Sequence, residues 1–309
     1  MTHHYNERHL KLDIPLFWDS RYVESRKNTN GGVLTYKNGQ WCISEINQNL
    51  DCPKLTFKWE NSEFRSPLSA TFGGVYIPDN CNYSNGEMLN SLSDFFLKNA
   101  VKRASILLPP EHLVSKNVIP VDDYVKNSWK VDFTDTNFYI EMRTWEVSDL
   151  SKGNRKKIKQ AISENLVFEE FFTSEIDSAY DVIDRNRKSL GVNVSIALDE
   201  LKSLMGIFTG HYRCFVLKNQ DGSLAASAFL VNSFHENLYV YLWADTAESR
   251  HLSPIVLMLQ ELIKSEKDKF KFLDLGTAST EGKILEGLAR FKVNLGATAN
   301  QKHSIKWEN

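Results

Sequence analysis

The stretch from residue 238 to residue 296 constrains the fold of this chain more than any other part of it. A strand pattern, LYVYLW, leads through a polar loop, ADTAESRHL, into an amphipathic helix pattern, PIVLMLQELIKSEKD. A second strand pattern, KFLDLG, follows, and a second helix pattern ends in GLARFKVNLGA. Strands joined by a crossover helix pair in parallel with a right-handed connection, so we expect the loop at one end of a sheet.

The polar loop ends where a helix begins. Ser253 suits the N-cap position, because its hydroxyl can accept a hydrogen bond from an unpaired amide, and Pro254 suits the first helical position. The helix therefore directs N–H groups and the positive end of its dipole toward a loop that carries Arg250 and His251. The pattern predicts an anion-binding site here.

The first half of the chain repeats this order of elements. SPLSATFGGVYI predicts a strand, PDNCNYSNG a loop, EMLNSLSDFFLKNAVK an amphipathic helix, and RASILLP a strand that ends at two prolines. The chain of 309 residues suits two domains, which we place at residues 1–150 and 151–309. The basic run near this boundary is either a solvated linker or places Arg155, Lys156 or Lys157 at an interdomain cleft.

Composition excludes several classes of protein. The net charge of −2 provides no general field for nucleic acid or acidic membranes, so any recognition of phosphate must be local. The apolar runs are shorter than the roughly 18 residues of a membrane helix, and residues Met1–Tyr5 lack the start of a secretory signal. We therefore expect a cytoplasmic protein without a membrane span. The four cysteines lack paired spacing, so we expect no metal site.

The second half of the chain resembles a known family. The order of its elements, the turn RHLSPI (250–255) and the segment GLARFK (287–292) followed by Gly296 resemble FemAB-like and double-GNAT acyltransferases. The resemblance covers residues 150–309 well and the first half loosely. Ser253 stands where the GNAT superfamily has the glycine of its Arg-x-x-Gly-x-Ala loop. The resemblance implies an α/β protein of two tandem GNAT-like domains, each with a mixed central β-sheet flanked by helices.

The same resemblance implies a donor site in the second domain. The strand Leu238–Trp243 would part from Phe272–Leu275 to admit the pantetheine arm of an acyl-CoA, and the turn would supply amides to the donor's pyrophosphate. The donor-binding residues so implied are Trp243, Ala244, Arg250, Leu252, Ser253 and Ile255.

An amine that attacks a thioester must lose a proton, so a general base is expected near the end of this strand. The catalytic candidates are Asp245 and His251, and Glu248 is a third candidate base that we expect to be exposed. Asp245 is either the base or a turn residue that bonds to its own backbone. His251 is either a proton carrier, an anion ligand or a packing residue.

The acceptor residues are implied by resemblance as well. Lys292 matches a lysine at the active site of FemAB-like enzymes, although a lysine near a helix C-terminus also stabilises the helix dipole. In the first half, Arg65 and the Phe72-Gly73-Gly74 segment resemble a pattern of double-domain acyltransferases that lines the acceptor cleft. A Gly-Gly pair by itself is more often a turn or bulge.

FemAB proteins proper take aminoacyl-tRNA to extend a cell-wall peptide, and many carry a long helical arm in the second domain. The helical patterns after Gly153 are short and interrupted here. We therefore expect an N-acyltransferase that moves an acyl group from acyl-CoA to the amine of a nucleotide-linked amino sugar in surface polysaccharide biosynthesis. The alternatives are an aminoacyl-tRNA-dependent peptide ligase, which would need nucleic acid, and a non-catalytic double-GNAT protein that binds CoA or a nucleotide sugar.

Overall fold

A computed structural model describes residues 15–26, 30–44, 51–172 and 174–309, so Met1–Tyr5 lie outside the described residues. The described chain divides into two compact units. Unit N contains residues 15–137, 277–285 and 300–309, and unit C contains residues 138–276 and 286–299. The chain first passes from unit N to unit C within a strand, between Asn137 and Phe138.

The helices and strands up to this crossing are α1 (Ser20–Glu24), β1 (Gly31–Lys37), β2 (Gln40–Ser44), β3 (Lys54–Glu60), β4 (Glu63–Ser66), α2 (Asn85–Lys98), β5 (Arg103–Leu107), α3 (Val121–Lys126) and β6 (Lys130–Glu141). Those that follow in unit C are α4 (Lys152–Ser163), β7 (Val167–Phe171), α5 (Ile176–Ser189), α6 (Leu198–Ile207), β8 (Tyr212–Lys218), β9 (Leu224–Phe234), β10 (Asn237–Asp245), α7 (Pro254–Glu266) and β11 (Phe272–Thr277). The last elements are the short hairpin strands β12 (Ser279–Thr280) and β13 (Lys283–Ile284), then α8 (Glu286–Asn294) and β14 (Thr298–Glu308).

Each unit is built on a mixed β-sheet with helices packed against it, which confirms the predicted α/β fold class. In unit N the strand order is β2-β1-β3-β4-β5-β14, in which β4 and β5 are parallel and the other neighbours are antiparallel. In unit C the order is β11-β10-β9-β8-β7, in which β10 and β11 are parallel. The helices α5 and α7 pack against β8, β9 and β10.

Both units contain a parallel crossover unit, β4-α2-β5 in unit N and β10-α7-β11 in unit C, but the first strand of the unit N copy is not the predicted one. The strand predicted over residues 66–77 is wrong. The strand β4 ends at Ser66, and the following segment is a buried loop in which Leu68, Phe72 and Val75 are almost fully covered. Pro67 has no N–H for a strand ladder, so the apolar residues that suggested a strand pack into the core from a loop instead.

Burial of apolar residues stabilises both units. The core of unit N is rich in aromatic rings, with Phe96 centred 4.8 Å from Phe64 and 5.2 Å from Trp307. In unit C the helix α7 is buried on nearly every side, as its apolar composition requires. Among the described residues, no helix is long and apolar enough to cross a membrane.

Unit C also buries a cluster of charges around Arg213, which lies on β8. The Arg213 Nε is 2.7 Å from Glu170 Oε1, and its Nη2 is 3.0 Å from Glu266 Oε1. The side chains of Arg213 and Glu266 are only 8% and 2% exposed. Burial alone would lower the pKa of Arg213, but the hydrogen bonds with Glu170 and Glu266 outweigh it and hold the pKa above its ordinary value. The guanidinium therefore stays charged and holds β8, β7 and α7 together.

Candidate functional site

The two parallel strands of unit C part from each other along their length. The pairing of β10 with β11 runs from Asn237 to Tyr239 and ends there, although β10 continues to Asp245 and β11 to Thr277. The antiparallel pairing of β10 with β9 has a register shift between Val240 and Leu242, so Tyr241 is the extra residue of a β-bulge. A bulge bends a strand and redirects its backbone groups. The resemblance implied a parting that begins at Leu238, but Leu238 and Tyr239 remain paired with β11, and the strands part only beyond Tyr239. A slot there for a pantetheine arm stays a prediction.

The turn that follows β10 leads directly into α7. A single 3-10 turn, Arg250–Leu252, precedes Ser253, whose backbone is left-handed with φ 53° and ψ 54°. The Ser253 hydroxyl makes no capping hydrogen bond, so the prediction of a side-chain N-cap is wrong. Such a cap needs an extended backbone at that residue, from which the side chain can reach the first free amides. The left-handed conformation favours glycine, which is the residue that the resembled GNAT loop has at this position.

We expect the Ser253→Gly variant to be more stable than the wild type. The left-handed backbone costs a residue with a Cβ about 1–2 kcal/mol, and the glycine variant avoids this cost. The greater conformational freedom of glycine in the unfolded chain offsets part of that stabilisation. The net rise in the free energy of unfolding should be up to about 1 kcal/mol by urea denaturation. Ser253→Val should lower it. A less stable glycine variant would mean instead that the serine side chain makes a stabilising contact.

Beside this turn lies an open cleft of about 750 Å³ within unit C, here named the cationic cleft. Its walls come from α4, α5 and the segment after it, the end of β10, the turn, the start of α7, and α8. The lining residues are Asn154, Lys157, Asn186, Arg187, Val192, Trp243, Ala244, Asp245, Arg250, Ser253, Ile255, Val256, Gly287, Leu288, Arg290, Phe291 and Asn294.

Four cations face one carboxylate in this lining. Asp245 pairs with Arg250 at 3.0 Å, and the Asp245 side chain is 17% exposed. Within the residues that the structure describes, Lys157, Arg187 and Arg290 have no carboxylate at ion-pair distance. Unpaired like charges around one cleft repel each other and attract an anion. Together with the start of α7, they make the cleft suited to a ligand with several negative charges.

Lys292 lies in a buried cluster next to the point where β11 ends. Its side chain is 3% exposed, and its Nζ donates a hydrogen bond of 2.9 Å to the carbonyl oxygen of Gly276. Burial lowers the pKa of Lys292 to about 8, although the negative charge of Asp274 acts to raise it. Burial also raises the pKa of Tyr239, and Asp274 adds to that shift. We call Tyr239, Asp274, Gly276 and Lys292 the Lys292 cluster.

The backbone and the surroundings of residue 276 in the Lys292 cluster favour glycine over any residue with a side chain. Its φ is +76°, and a Cβ at this position would lie 3.2 Å from the Tyr239 hydroxyl oxygen. A larger residue would therefore be strained in its backbone and would press on Tyr239. The helix α8 presents Lys292 to this cluster while Arg290 lines the cationic cleft, because residues two positions apart on a helix point in different directions.

The structure brings most of the predicted donor residues together. Trp243, Ala244, Arg250, Ser253 and Ile255 line the cationic cleft, and Asp245 lies among them. Leu252 is buried and does not belong to the lining. His251 is also outside the lining: it is exposed, and its Nδ1 is 2.9 Å from the carbonyl oxygen of Glu248.

The predicted acceptor residues other than Lys292 lie in unit N. Arg65 is exposed on β4 and pairs with Glu63 at 2.5 Å. Phe72, Gly73 and Gly74 are buried: the Phe72 ring is centred 5.2 Å from that of Phe17, and the Gly74 carbonyl accepts a 2.8 Å hydrogen bond from Trp18 Nε1. The structure thus separates Arg65 on the surface from a buried Phe-Gly-Gly loop. Their role at an acceptor site stays a prediction.

Sequence reasoning missed several residues of the cationic cleft. Arg187 and Asn186 lie on α5, far along the chain from the turn, and only the packing of α5 against β9 and β10 brings them to the cleft. Asn186 Nδ2 also donates to the carbonyl oxygen of Asp245 at 3.3 Å. The position of Lys157 was one of three possibilities in the basic run, and it alone of the three lines the cleft. Arg155 instead donates to the carbonyl oxygens of Ser148 and Leu150.

Comparison with known proteins gives a likeness in structure without one in sequence. No protein-family model matches the chain, and no curated protein matches it. Among solved structures, the crystal structure of FemX is 14% identical with a TM-score of 0.66, covering 100% of this chain and 97% of that chain.

Two further structures have the same overall likeness. A conserved protein of unknown function from Bacteroides thetaiotaomicron is 11% identical, with a TM-score of 0.63 and coverage of 95% of this chain and 92% of that one. The C-terminal domain of a putative lysylphosphatidylglycerol synthetase from Agrobacterium fabrum is 12% identical, with a TM-score of 0.56 and coverage of 83% and 81%. At such identities the likeness establishes the fold alone. The chain therefore shares its overall fold with FemX.

Proposed function

We propose that this protein is an N-acyltransferase whose acyl donor, an acyl-CoA, binds in the cationic cleft. The single observation that carries the proposal is a set of three cations, Lys157, Arg187 and Arg290, that have no ion-pair partner among the described residues and line a cleft beside the end of β10 and the start of α7. The diphosphate of the donor would neutralise Lys157, Arg187 and Arg290, and its thioester arm would enter between the parted strands. The fold shared with FemX agrees with acyl transfer.

The reaction needs few side chains in this geometry. The nitrogen of the acceptor amine attacks the thioester carbonyl carbon, the carbon–sulfur bond breaks, and the sulfur leaves as a thiolate with the electron pair of that bond, then takes up a proton to give the released thiol. The amine proton passes to a base, for which Asp245 is better placed than His251 because only Asp245 lines the cleft. Backbone amides redirected by the bulge at Tyr241 would stabilise the oxyanion that forms on the carbonyl oxygen. As acceptor we propose the amine of a nucleotide-linked amino sugar.

The test is thiol release from a panel of acyl-CoA donors mixed with nucleotide-linked amino sugars, followed with a chromogenic thiol reagent. We expect turnover with at least one pair and a KM for the donor that rises about tenfold or more in Arg187→Ala, because a charge-assisted hydrogen bond is lost. The matched control is Arg185→Ala on the same helix, since Arg185 is 79% exposed, pairs with Asp181 and does not line the cleft. It should leave the KM unchanged.

Two results would contradict the proposal. Folded protein that releases no thiol across the panel and shows no thermal shift with CoA thioesters would exclude an acyl-CoA donor. Binding of CoA that raises thermal stability without any turnover would favour a non-catalytic binding protein instead.

A specific surface favours an aminoacyl-tRNA donor as the second candidate. The helix α4 exposes Lys152, Arg155, Lys156, Lys157 and Lys159, and no acidic residue interrupts this run before Glu164. Exposed lysines on one helix can neutralise nucleic-acid phosphates. A gel shift with charged tRNA that weakens with salt and is lost in a Lys156→Glu/Lys159→Glu variant, together with transfer of the aminoacyl group to an amine, would establish this function instead of the first.

A further inference from the structure

Unit N has a groove of its own, about 720 Å³ in volume, between the β1–β2 hairpin and one face of α2. We call it the unit N groove. Its two walls are fixed to each other by hydrogen bonds, from Ser91 Oγ to the Gly39 carbonyl at 3.0 Å and from Trp41 Nε1 to the Met88 carbonyl at 2.8 Å. The groove is therefore preformed, as ligand sites usually are.

Aromatic side chains form one end of the groove. Tyr36 and Tyr83 meet edge to face with centroids 4.9 Å apart, and Trp41 lies 5.3 Å from Tyr36. Tyr83 is 39% exposed, so its ring is open to a ligand, while Tyr36 is only 3% exposed. A ring face carries partial negative charge and attracts the polarised C–H groups of a ligand.

Several polar groups that line the groove have no hydrogen-bond partner within the described part of the chain. The hydroxyl of the buried Tyr36 makes no hydrogen bond within the residues that the structure describes. The side chains of Gln40, Glu87, Asn90 and Asp94 likewise have no hydrogen bond or ion pair there. Burial raises the pKa of Tyr36, and the charge of Glu87 adds to it, so this carboxylate lies near the hydroxyl. These groups can therefore form hydrogen bonds with a ligand that enters the groove.

The spacing of the polar residues on α2 directs them all into the groove. Glu87, Asn90, Asp94 and Lys98 follow one another at intervals of three or four, which places them on one helix face opposite the hairpin. Two carboxylates therefore face one ammonium, so the groove repels anions. Carboxamide and carboxylate groups bind hydroxyl groups at several points along such a row.

We infer that the unit N groove binds a saccharide chain that carries no negative charge, with one sugar ring against Tyr83 and its hydroxyl groups bonded to the polar row of α2. The aromatic end, the unpartnered Tyr36 hydroxyl and the acidic balance together favour this class of ligand over a nucleotide or a phosphorylated one. The groove lies in unit N and the cationic cleft in unit C, so this binding does not depend on the proposed transfer reaction.

The test is a ligand-observed NMR titration of the full chain with tetrasaccharides of N-acetylglucosamine, of glucosamine and of galacturonic acid. The first two should bind at millimolar concentration and the third should not. Tyr83→Ala should weaken binding about tenfold or more through loss of the ring contact. Glu87→Gln should weaken the glucosamine ligand more than the acetylated one, because only the former is cationic.

Asn82→Ala is the matched control, since Asn82 is exposed, precedes Tyr83 and does not line the groove. It should bind as the wild type does, and all three variants should keep the wild-type melting temperature. Absence of binding by both uncharged and cationic ligands, equal binding of the galacturonate, or undiminished binding by a folded Tyr83→Ala variant would each overturn the inference.

Discussion

Replacing Arg213 by methionine is expected to lower the free energy of unfolding by about 3–5 kcal/mol, because it leaves buried charge without its partner. Glu266 is 2% exposed, and the nearest remaining cation, Lys269 Nζ, lies 3.6 Å away on an exposed side chain. Glu170 loses its partner as well. Denaturation in guanidinium chloride, followed by circular dichroism, measures the loss.

Two comparisons separate this effect from a general change of charge. Lys264→Met removes the surface ion pair between Lys264 and Glu261, which both lie on α7, the helix that carries Glu266. This variant should lose less than about 0.5 kcal/mol of unfolding free energy. A variant in which Arg213, Glu170 and Glu266 are all replaced by apolar residues should recover much of the stability, because no uncompensated charge remains. A loss below about 1 kcal/mol in Arg213→Met would show that solvent reaches Glu266 more easily than its burial indicates.

The second large effect concerns pH. Between pH 8 and pH 10.5, the wild type should gain about 3 kcal/mol of stability relative to a Lys292→Met variant. The folded pKa of Lys292 is about 8, whereas the unfolded value is 10.5, so the unfolded state binds more protons across this window. Stability therefore rises with pH there. Below pH 8 both states carry the proton, and the native state bears the full cost of a buried ammonium.

The measurement is the free energy of unfolding of both proteins at pH 7, 8, 9, 10 and 10.5. The difference between the two proteins is the useful quantity, because burial raises the pKa of Tyr239 and Tyr124 in both and works in the opposite direction near pH 10. Lys98→Met, at an exposed lysine of unit N, serves as the control for removal of a lysine side chain from the surface. Parallel curves for wild type and Lys292→Met would mean that Lys292 keeps an ordinary pKa when folded.

The sequence predicted those elements whose pattern of apolar and polar residues lies within consecutive positions of the chain. The helix α7 and the strand β10 carry their periodicity in consecutive residues, and both were predicted. The loop after Ser66 was misjudged because an apolar run fits a buried loop as well as a strand. The left-handed Ser253 could not be foreseen from serine itself, although its place in the GNAT loop belongs to a glycine.

Of the residues that line the cationic cleft, the sequence predicted mainly those at the end of β10 and in the turn before α7. Arg250 lies in the loop between β10 and α7, so its position followed from the strand and the loop. Arg187 and Arg290 reach the same cleft from two separate helices, and neither has a local pattern that marks it. Their placement depends on how α5 and α8 pack within unit C, which is set by contacts between residues distant in sequence.

The pairing of β14 with β5 has a consequence for biosynthesis. Glu308 lies opposite Arg103, so the sheet of unit N gains this strand only after all of unit C has left the ribosome. During translation the β5 edge presents unpaired amides and carbonyls that can pair with a wrong strand. Chaperone dependence in the cell should therefore be concentrated on unit N rather than on unit C.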